Sequence, residues 1–436
     1  MFENLKGKRL LFLGAVRPLC EAVEIAKSMG IYTIVTDYLP NSPAKKHADK
    51  ACMVSTIDVD AIVNLCKEEK VDGVFTAFTD SMLPYARKIC DRLGFPFYAS
   101  EEQIRLSLDK SLFKETCRKY GVPVPNDYTD CVRNGAFDDS SIVFPVIVKP
   151  IDSSGGRGIT ICNDAVELKK AYDYAMQISP SKNVLVEEYV VGDEVTATYT
   201  MKNGEISLSC FKDKLMSLDH ENITCQADIL IAPSRSLSKY LSDTNEKVIS
   251  MLKGLRAVDG TVFIQGVNTD AGVKFFELGY RANGGHDYRF IEAENRINFM
   301  KMLIAHALTG EMQGFELDLD NPFFSSYVLN LNVYAHQGVI GDVSGKETVQ
   351  NIDNVILAEY MHNIGDEIAD TNTLSQRVFR AVIRDNSIER IKQTIKTIQN
   401  VVKINDVSGK SMLYKPFDVE RLNQYSDICQ KNAEVK

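Results

Sequence analysis

The chain has 436 residues, with 50 Lys and Arg against 59 Asp and Glu for a formal charge of −9, and 44% hydrophobic and 25% charged residues. That is ordinary globular usage, enough for about two to four domains, and its acidic balance excludes a general nucleic-acid surface, which needs a basic patch to neutralise phosphates. None of the ten cysteines forms a CxxC pair and the six histidines show no paired zinc spacing, so a disulfide framework and a zinc site are both disfavoured and a reduced, cytoplasmic setting is expected.

The opening apolar run at Leu10–Leu13 reads as a buried strand rather than a signal peptide, since it lacks a small-residue cleavage site. No run of about 18 apolar residues exists, so no transmembrane helix is expected. Strands at 9–13, 32–36 and 73–78 alternate with helices at 19–29, 59–69 and 81–93. This rhythm predicts a doubly wound parallel sheet. Ligands of such sheets sit beyond the carboxyl ends of the strands, here the loops 14–18, 37–43 and 79–80. Arg17 and Asp80 are the polar residues to watch there, although helix capping is the plainer role for residues in such positions. The GxGxxG loop is absent, which argues against a dinucleotide domain.

A helix over 109–120 follows, closed by Gly121, and Val122-Pro-Val-Pro125 then forces extended chain. An α+β block runs to about residue 315. Beyond residue 327 come short strands and Gly turns, with a late helix at 388–399, and the polar residues after Asp418 are expected to fray.

The strongest local signal is Phe144-Pro-Val-Ile-Val-Lys149-Pro-Ile-Asp-Ser-Ser-Gly155-Gly156-Arg157-Gly158, followed by a strand at 159–162. An apolar strand ends in a lysine, and glycines then let backbone N–H groups turn toward phosphate oxygens. The loop leads into a strand and lacks GK[ST], so it is not a Walker A loop. Downstream, Val184-Leu-Val-Glu-Glu188-Tyr-Val190-Val-Gly-Asp-Glu194 is an apolar strand ending in acids. Gln265 and Glu277 lie twelve residues apart on two strands that the turn at 270–272 folds together. A carboxylate and an amide oxygen brought together in this way suit Mg²⁺ bridging nucleotide phosphates.

In this order and spacing, the segments resemble the ATP-grasp superfamily, including its carboxylate–amine ligases and the synthetase halves of carbamoyl phosphate synthetase. The resemblance implies an N-terminal doubly wound parallel α/β domain (1–108), a split ATP-grasp nucleotide-binding region (109–315, with a lid lobe near 123–190) and a small strand-rich C-terminal cap (316–436). It implies ATP as substrate and Mg²⁺ or Mn²⁺ as cofactor. Lys110 and Lys149 match the phosphate-binding lysines, and Gly155 and Gly156 the loop over the β- and γ-phosphates. Glu188 and Val190 match the adenine hinge and Glu194 the ribose acid. Gln265 and Glu277 match the metal ligands, and Arg281 the group that stabilises the acyl phosphate. His220 is similar in placement to a nucleotide-contacting histidine.

One departure stands out. The family's Glu-x-Asn-x-Arg reads Glu277-Leu-Gly279-Tyr-Arg281 here, which removes the Asn ligand, and Asn283 or Asp287 is the candidate to replace it. The implied activity is an ATP-dependent ligase that forms an acyl phosphate from a small carboxylate and passes it to an amine. A bicarbonate-activating synthetase and a non-catalytic nucleotide-binding regulator remain the alternatives. The expected partners are small molecules, with no nucleic acid or membrane, and a homodimer is compatible with this reading.

Overall fold

The structure is a computed structural model that describes residues 2–132, 139–152, 158–218 and 226–429. Its first sheet is parallel, with strands β1 (Arg9–Leu13), β2 (Tyr32–Thr36), β3 (Lys50–Cys52) and β4 (Gly73–Phe75) in the order β3-β2-β1-β4. β1 is a continuous apolar run because helices cover both faces of such a sheet. The first helix, Arg17–Ser28, begins two residues earlier than its apolar pattern suggests. Pro18 accounts for this: in the first turn its missing N–H leaves nothing unsatisfied.

The helix Glu101–Leu108 opens on a capping box formed by Ser100 and Gln103. Asp109 caps the next helix, Lys110–Lys119, by accepting from the amides of Ser111 (2.9 Å) and Leu112 (3.0 Å). A small antiparallel sheet follows, made of β5 (Val146–Pro150), β6 (Thr160–Cys162) and β7 (Val184–Glu188) in the order β6-β5-β7, and the helix Ala165–Ile178 packs on it.

The remaining described strands are β8 (Asp193–Lys202), β9 (Glu205–Met216), β10 (Ala227–Ala232), β11 (Gly260–Thr269), β12 (Gly272–Gly279), β13 (Tyr327–Tyr334), β14 (Gly338–Ser344), β15 (Val355–Tyr360), β16 (Glu367–Ile368), β17 (Arg377–Asp385) and β18 (Lys403–Asp406). Eight of them form one antiparallel sheet in the order β12-β11-β8-β9-β10-β13-β17-β15. The C-terminal part is strand-rich, as the sequence implies, but β13, β15 and β17 extend the same sheet that holds Gln265 and Glu277. Strands on either side of residue 316 are therefore neighbours, and only β14, β16 and β18 make a separate small sheet.

Register decides which side chains meet. Directly opposed residues of an antiparallel pair share a face. Glu277 opposes Gln265, Gln265 opposes Thr196, and Thr196 opposes Lys212. Farther across, Lys214 opposes Leu230, Leu230 opposes Asn330, and Arg380 lies between Asn332 and Glu359. One face of the sheet therefore carries Glu277, Gln265, Lys212, Lys214, Asn330 and Arg380. The opposite face is apolar and packs on the helices Glu246–Gly254 and Ile388–Val401.

The helix Phe299–Thr309 joins the first domain to the polar face, within a core that includes Phe12, Leu19, Leu230 and Val382. Contact with β4 is close enough that a Cβ on Gly73 would lie 2.2 Å from the Ala307 carbonyl oxygen. Among the described residues, no helix is long and apolar enough to cross a membrane.

Candidate active site

A row of polar side chains crosses four strands of the large sheet. The Gln265 amide donates to Glu277 Oε2 (3.1 Å) and accepts from Lys214 Nζ (3.0 Å). Lys214 also pairs with Glu194 Oε2 at 3.1 Å. Glu277, Gln265 and Glu194 thus lie in one hydrogen-bonded line, two acids flanking an amide and a lysine.

The small sheet faces this row. Lys149, near the end of β5, is buried and reaches Glu187 Oε2 at 2.6 Å and the Phe276 ring at 5.7 Å. Glu187 is fully buried and also pairs with Lys114, one helical turn after Lys110. Two lysines therefore share one carboxylate in a site closed to water, where burial and then the charge of Lys149 push the Lys114 amine down to about 6. Burial, followed by repulsion from Lys110, pushes the Lys149 amine down to about 8, against the pull of Glu277, Asp127 and Glu194. The Phe276 contact sets Lys149 beside Glu277, the next residue of β12. Glu188, next after Glu187 in β7, points the other way. Its carboxylate binds Lys274 of β12 (2.6 and 2.7 Å) and accepts from the Asn126 amide (3.1 Å), tying the small sheet to the large one. Val190 is half-buried just beyond the end of β7.

Arg281 follows β12. It pairs with Asp80 of the first domain, donates to the Ala282 carbonyl (3.0 Å) and lies over the Phe263 ring at 5.0 Å. Burial raises the Asp80 carboxyl above its usual range, and the Arg281 charge opposes that rise. Capping is therefore not the main role of Asp80, which reaches the cleft. Phe263 also explains the departure at Gly279: a Cβ there would lie 2.2 Å from Phe263 Cε1. The aromatic ring occupies the space that an asparagine side chain needs.

Asn283 does not replace that ligand. It is buried in the loop, where its amide nitrogen holds Asp287 Oδ2 (2.5 Å) and its oxygen accepts from the Gly285 amide (2.8 Å). Asp287 is itself fully buried between Lys212, Thr198 and Asn283. Asn283 is thus a brace of the 281–287 loop, corrected from the metal position that its sequence neighbourhood suggested. His286, at φ +58°, binds Glu21 of the first domain (2.6 Å) and Tyr288 (2.9 Å). Burial, then the charge of Arg380, holds its proton off well below the ordinary histidine value.

Among the described residues, no group of three His, Cys, Asp or Glu side chains is arranged to hold a metal. The donor set is one carboxylate, Glu277, with Gln265 beside it, its NH2 on Glu277 and its oxygen on Lys214. That fits Mg²⁺ arriving with phosphates and keeping its own waters, and does not fit a metal caged by protein alone. Gly155, Gly156 and His220 lie outside the described residues.

The sequence reading passed over Glu187, Lys114, Lys214, Lys212 and the Phe263–Gly279 contact. Strand alternation alone offered a signal for Glu187, since it shares a face of β7 with buried Leu185 while Glu188 lies on the other.

The PylC-like N-terminal domain family matches residues 10–92, and the carbamoyl-phosphate synthase L chain ATP binding domain family matches residues 109–319. The chain is 26% identical over 226 residues to a formate-dependent phosphoribosylglycinamide formyltransferase of Francisella tularensis, covering 48% of this chain and 54% of that protein. The chain spans about half the length of the curated relatives it matches. The solved biotin carboxylase of Campylobacter jejuni is similar with a TM-score of 0.76 at 17% identity, over 98% of each chain. The L-amino acid ligase of Bacillus licheniformis is similar with a TM-score of 0.74 at 17% identity, over 92% of this chain and 99% of that one.

Proposed function

The chain carries an ATP-grasp nucleotide-binding domain behind a PylC-like N-terminal domain, and from that premise we propose that it is an ATP-dependent carboxylate–amine ligase. The observation that carries this reading is Lys149 of β5 lying over the ring of Phe276, 5.7 Å away, beside Glu277 on β12 where two antiparallel sheets meet. ATP lies between the sheets in this reading.

A carboxylate is a poor acyl donor because its leaving group is oxide. Phosphorylation at the expense of ATP gives a mixed anhydride, which an amine then attacks with release of phosphate. The protein's part is positioning and charge neutralisation. Lys149 and Lys110 hold phosphate oxygens, and Glu194 takes the ribose. Val190 offers its backbone to adenine at the hinge. Glu277 would hold Mg²⁺, with Gln265 turning its oxygen from Lys214 to the ion, and the ion would supply positive charge to the nucleotide's phosphates. Arg281, oriented by Asp80 and Phe263, meets the charge that builds on the acyl phosphate and on the tetrahedral adduct after it.

The direct test is a phosphate-release screen over amino acids, hydroxy acids and bicarbonate, each with and without amines. Release of ADP that depends on an acid, and rises with an amine, is the expected result. Release with bicarbonate alone points to the carboxylating alternative. Nucleotide binding without acid-dependent ADP formation overturns the ligase reading.

A pH dependence follows from Lys149. Its proton is needed on the nucleotide's phosphates and leaves the free protein near pH 8. Apparent ATP affinity therefore falls as pH rises, by roughly ten- to thirtyfold from pH 7.5 to 9.5 if only the protonated amine binds. Lys149→Arg, which keeps its charge throughout, flattens that profile. Calorimetric titration of nucleotide at several pH values checks both. The reading also includes a cytoplasmic location, in keeping with nine described cysteines that are all free thiols, and a homodimer, checked by sedimentation.

A further inference from the structure

β17 brings two arginines into the interior beside the candidate site. Arg380 is 1% exposed and Arg377 is 7% exposed. Arg380 gives one nitrogen to Glu359, while its Nε and Nη1 have no partner among the described residues. Arg377 donates from Nη1 to Asn332 Oδ1 (3.2 Å), and its Nε is unpartnered. Asn330, fully buried on the same sheet face, uses neither end of its amide. Arg289, from the helix Asp287–Asn295, pairs with Glu21 and leaves its Nε without a partner among the described residues.

These groups form one cluster. Three guanidinium groups face two carboxylates, Glu21 and Glu359, so positive charge is in excess around the two buried arginines, Arg377 and Arg380. Buried polar atoms are nearly always hydrogen-bonded, and a buried charge without a counter-charge is costly. Four unpartnered guanidinium N–H sites and a free amide therefore point to acceptors that arrive from outside. Glu21 binds both Arg289 and His286, and His286 lies in the 281–287 loop that Arg281 begins, which ties the cluster to the candidate site. Glu21 belongs to the helix Arg17–Ser28, just past the carboxyl end of β1, where sheets of this type take ligands.

We propose that Arg377 and Arg380, with Asn330 and Arg289 beside them, receive a second anionic group of the substrate, remote from the carboxyl or amine that reacts. This rests on the ligase reading for the word substrate, and the binding site itself does not depend on it. A planar guanidinium fork matches a carboxylate or a phosphate in two-point contact, so the shared chemistry is an oxyanion that accepts several N–H bonds. A substrate with one charge, such as a simple aliphatic acid, leaves these donors unsatisfied and is selected against.

The test is binding to the full chain, read by calorimetry with MgADP present, so that it does not depend on turnover. The probes are glutarate and glutamate for a second carboxylate, ribose 5-phosphate for a phosphate monoester, and butyrate and alanine as controls without the second anion. At least one doubly anionic probe is expected to bind, and the carboxylate and phosphate arms identify which group the cluster takes. Arg380→Gln keeps a hydrogen-bond donor for Glu359 and should weaken that probe by roughly ten- to a hundredfold, the loss associated with charge-assisted hydrogen bonds. Arg377→Met, which leaves the Arg380–Glu359 pair intact, should weaken the same probe and guards against misfolding of the first variant. MgADP affinity reports on the ligase site separately. If butyrate and alanine bind as tightly as the doubly charged probes, or if neither substitution changes the binding of any probe, the proposal is overturned even where ADP formation proceeds. If MgADP fails to bind while an oxyanion still binds through Arg380, the ligase reading fails and the anion site stands.

Discussion

Glu277→Ala is expected to abolish acid-dependent ADP formation while leaving the fold in place. Glu277 supplies the only carboxylate of the candidate metal pair, and Asn283, the nearest alternative in the sequence, is engaged with Asp287 and Gly285. Nothing else on that edge of the sheet takes over its charge. A loss on the order of 10³-fold or more in kcat is the scale seen when a charge-stabilising group is removed from phosphoryl transfer. The side chain is only half-buried and makes one hydrogen bond, to Gln265, so the stability cost is about 1 kcal/mol. Gln265→Ala should be milder, since a neutral amide contributes less charge. The measurement is kcat beside a thermal melt for each variant. Activity of the Glu277 variant within tenfold of the parent protein would remove the metal assignment, whatever the melt shows.

Glu187→Gln is expected to be among the most destabilising single changes in the chain. Glu187 is the carboxylate that touches both buried lysines, Lys114 and Lys149, and burial pushes the Lys114 amine down to about 6. An amide in its place leaves the buried Lys149 charge without its contact counter-charge. Breaking a buried ion pair from one side costs about 3–5 kcal/mol. Lys114→Met makes the sharper comparison: it removes one of the two lysines that share the carboxylate and leaves a balanced Lys149–Glu187 pair. That variant should lose far less than Glu187→Gln, and urea denaturation of the two side by side decides it. Equal losses would mean that the carboxylate is not shared.

Much of the first domain was legible because apolar strands and amphipathic helices announce themselves locally. The nucleotide-binding segments were legible through their order, with Lys149, Glu188 and Glu277 each on the strand assigned to it. The misses come from contacts that no local pattern encodes. Asp80 and Arg281 are 201 residues apart in the chain. Glu187 is explained only by Lys114, which a helix well before it in sequence delivers to the same spot. Extension of the large sheet through β13, β17 and β15 depends on β10 pairing with β13, across four α-helices and the β11–β12 hairpin. The orphaned donors of Arg377 and Arg380 were invisible for the same reason, since a sequence gives no account of which hydrogen bonds go unmade.

The contact between Phe263 and Gly279 restricts the paths by which this chain could exchange its metal site for the commoner one. Gly279→Asn alone drives the new side chain into the ring, and Phe263→Ala alone removes the surface on which Arg281 rests without adding a ligand. The two positions are epistatic: each step is unfavourable without the other. In a family tree, they should switch together or not at all.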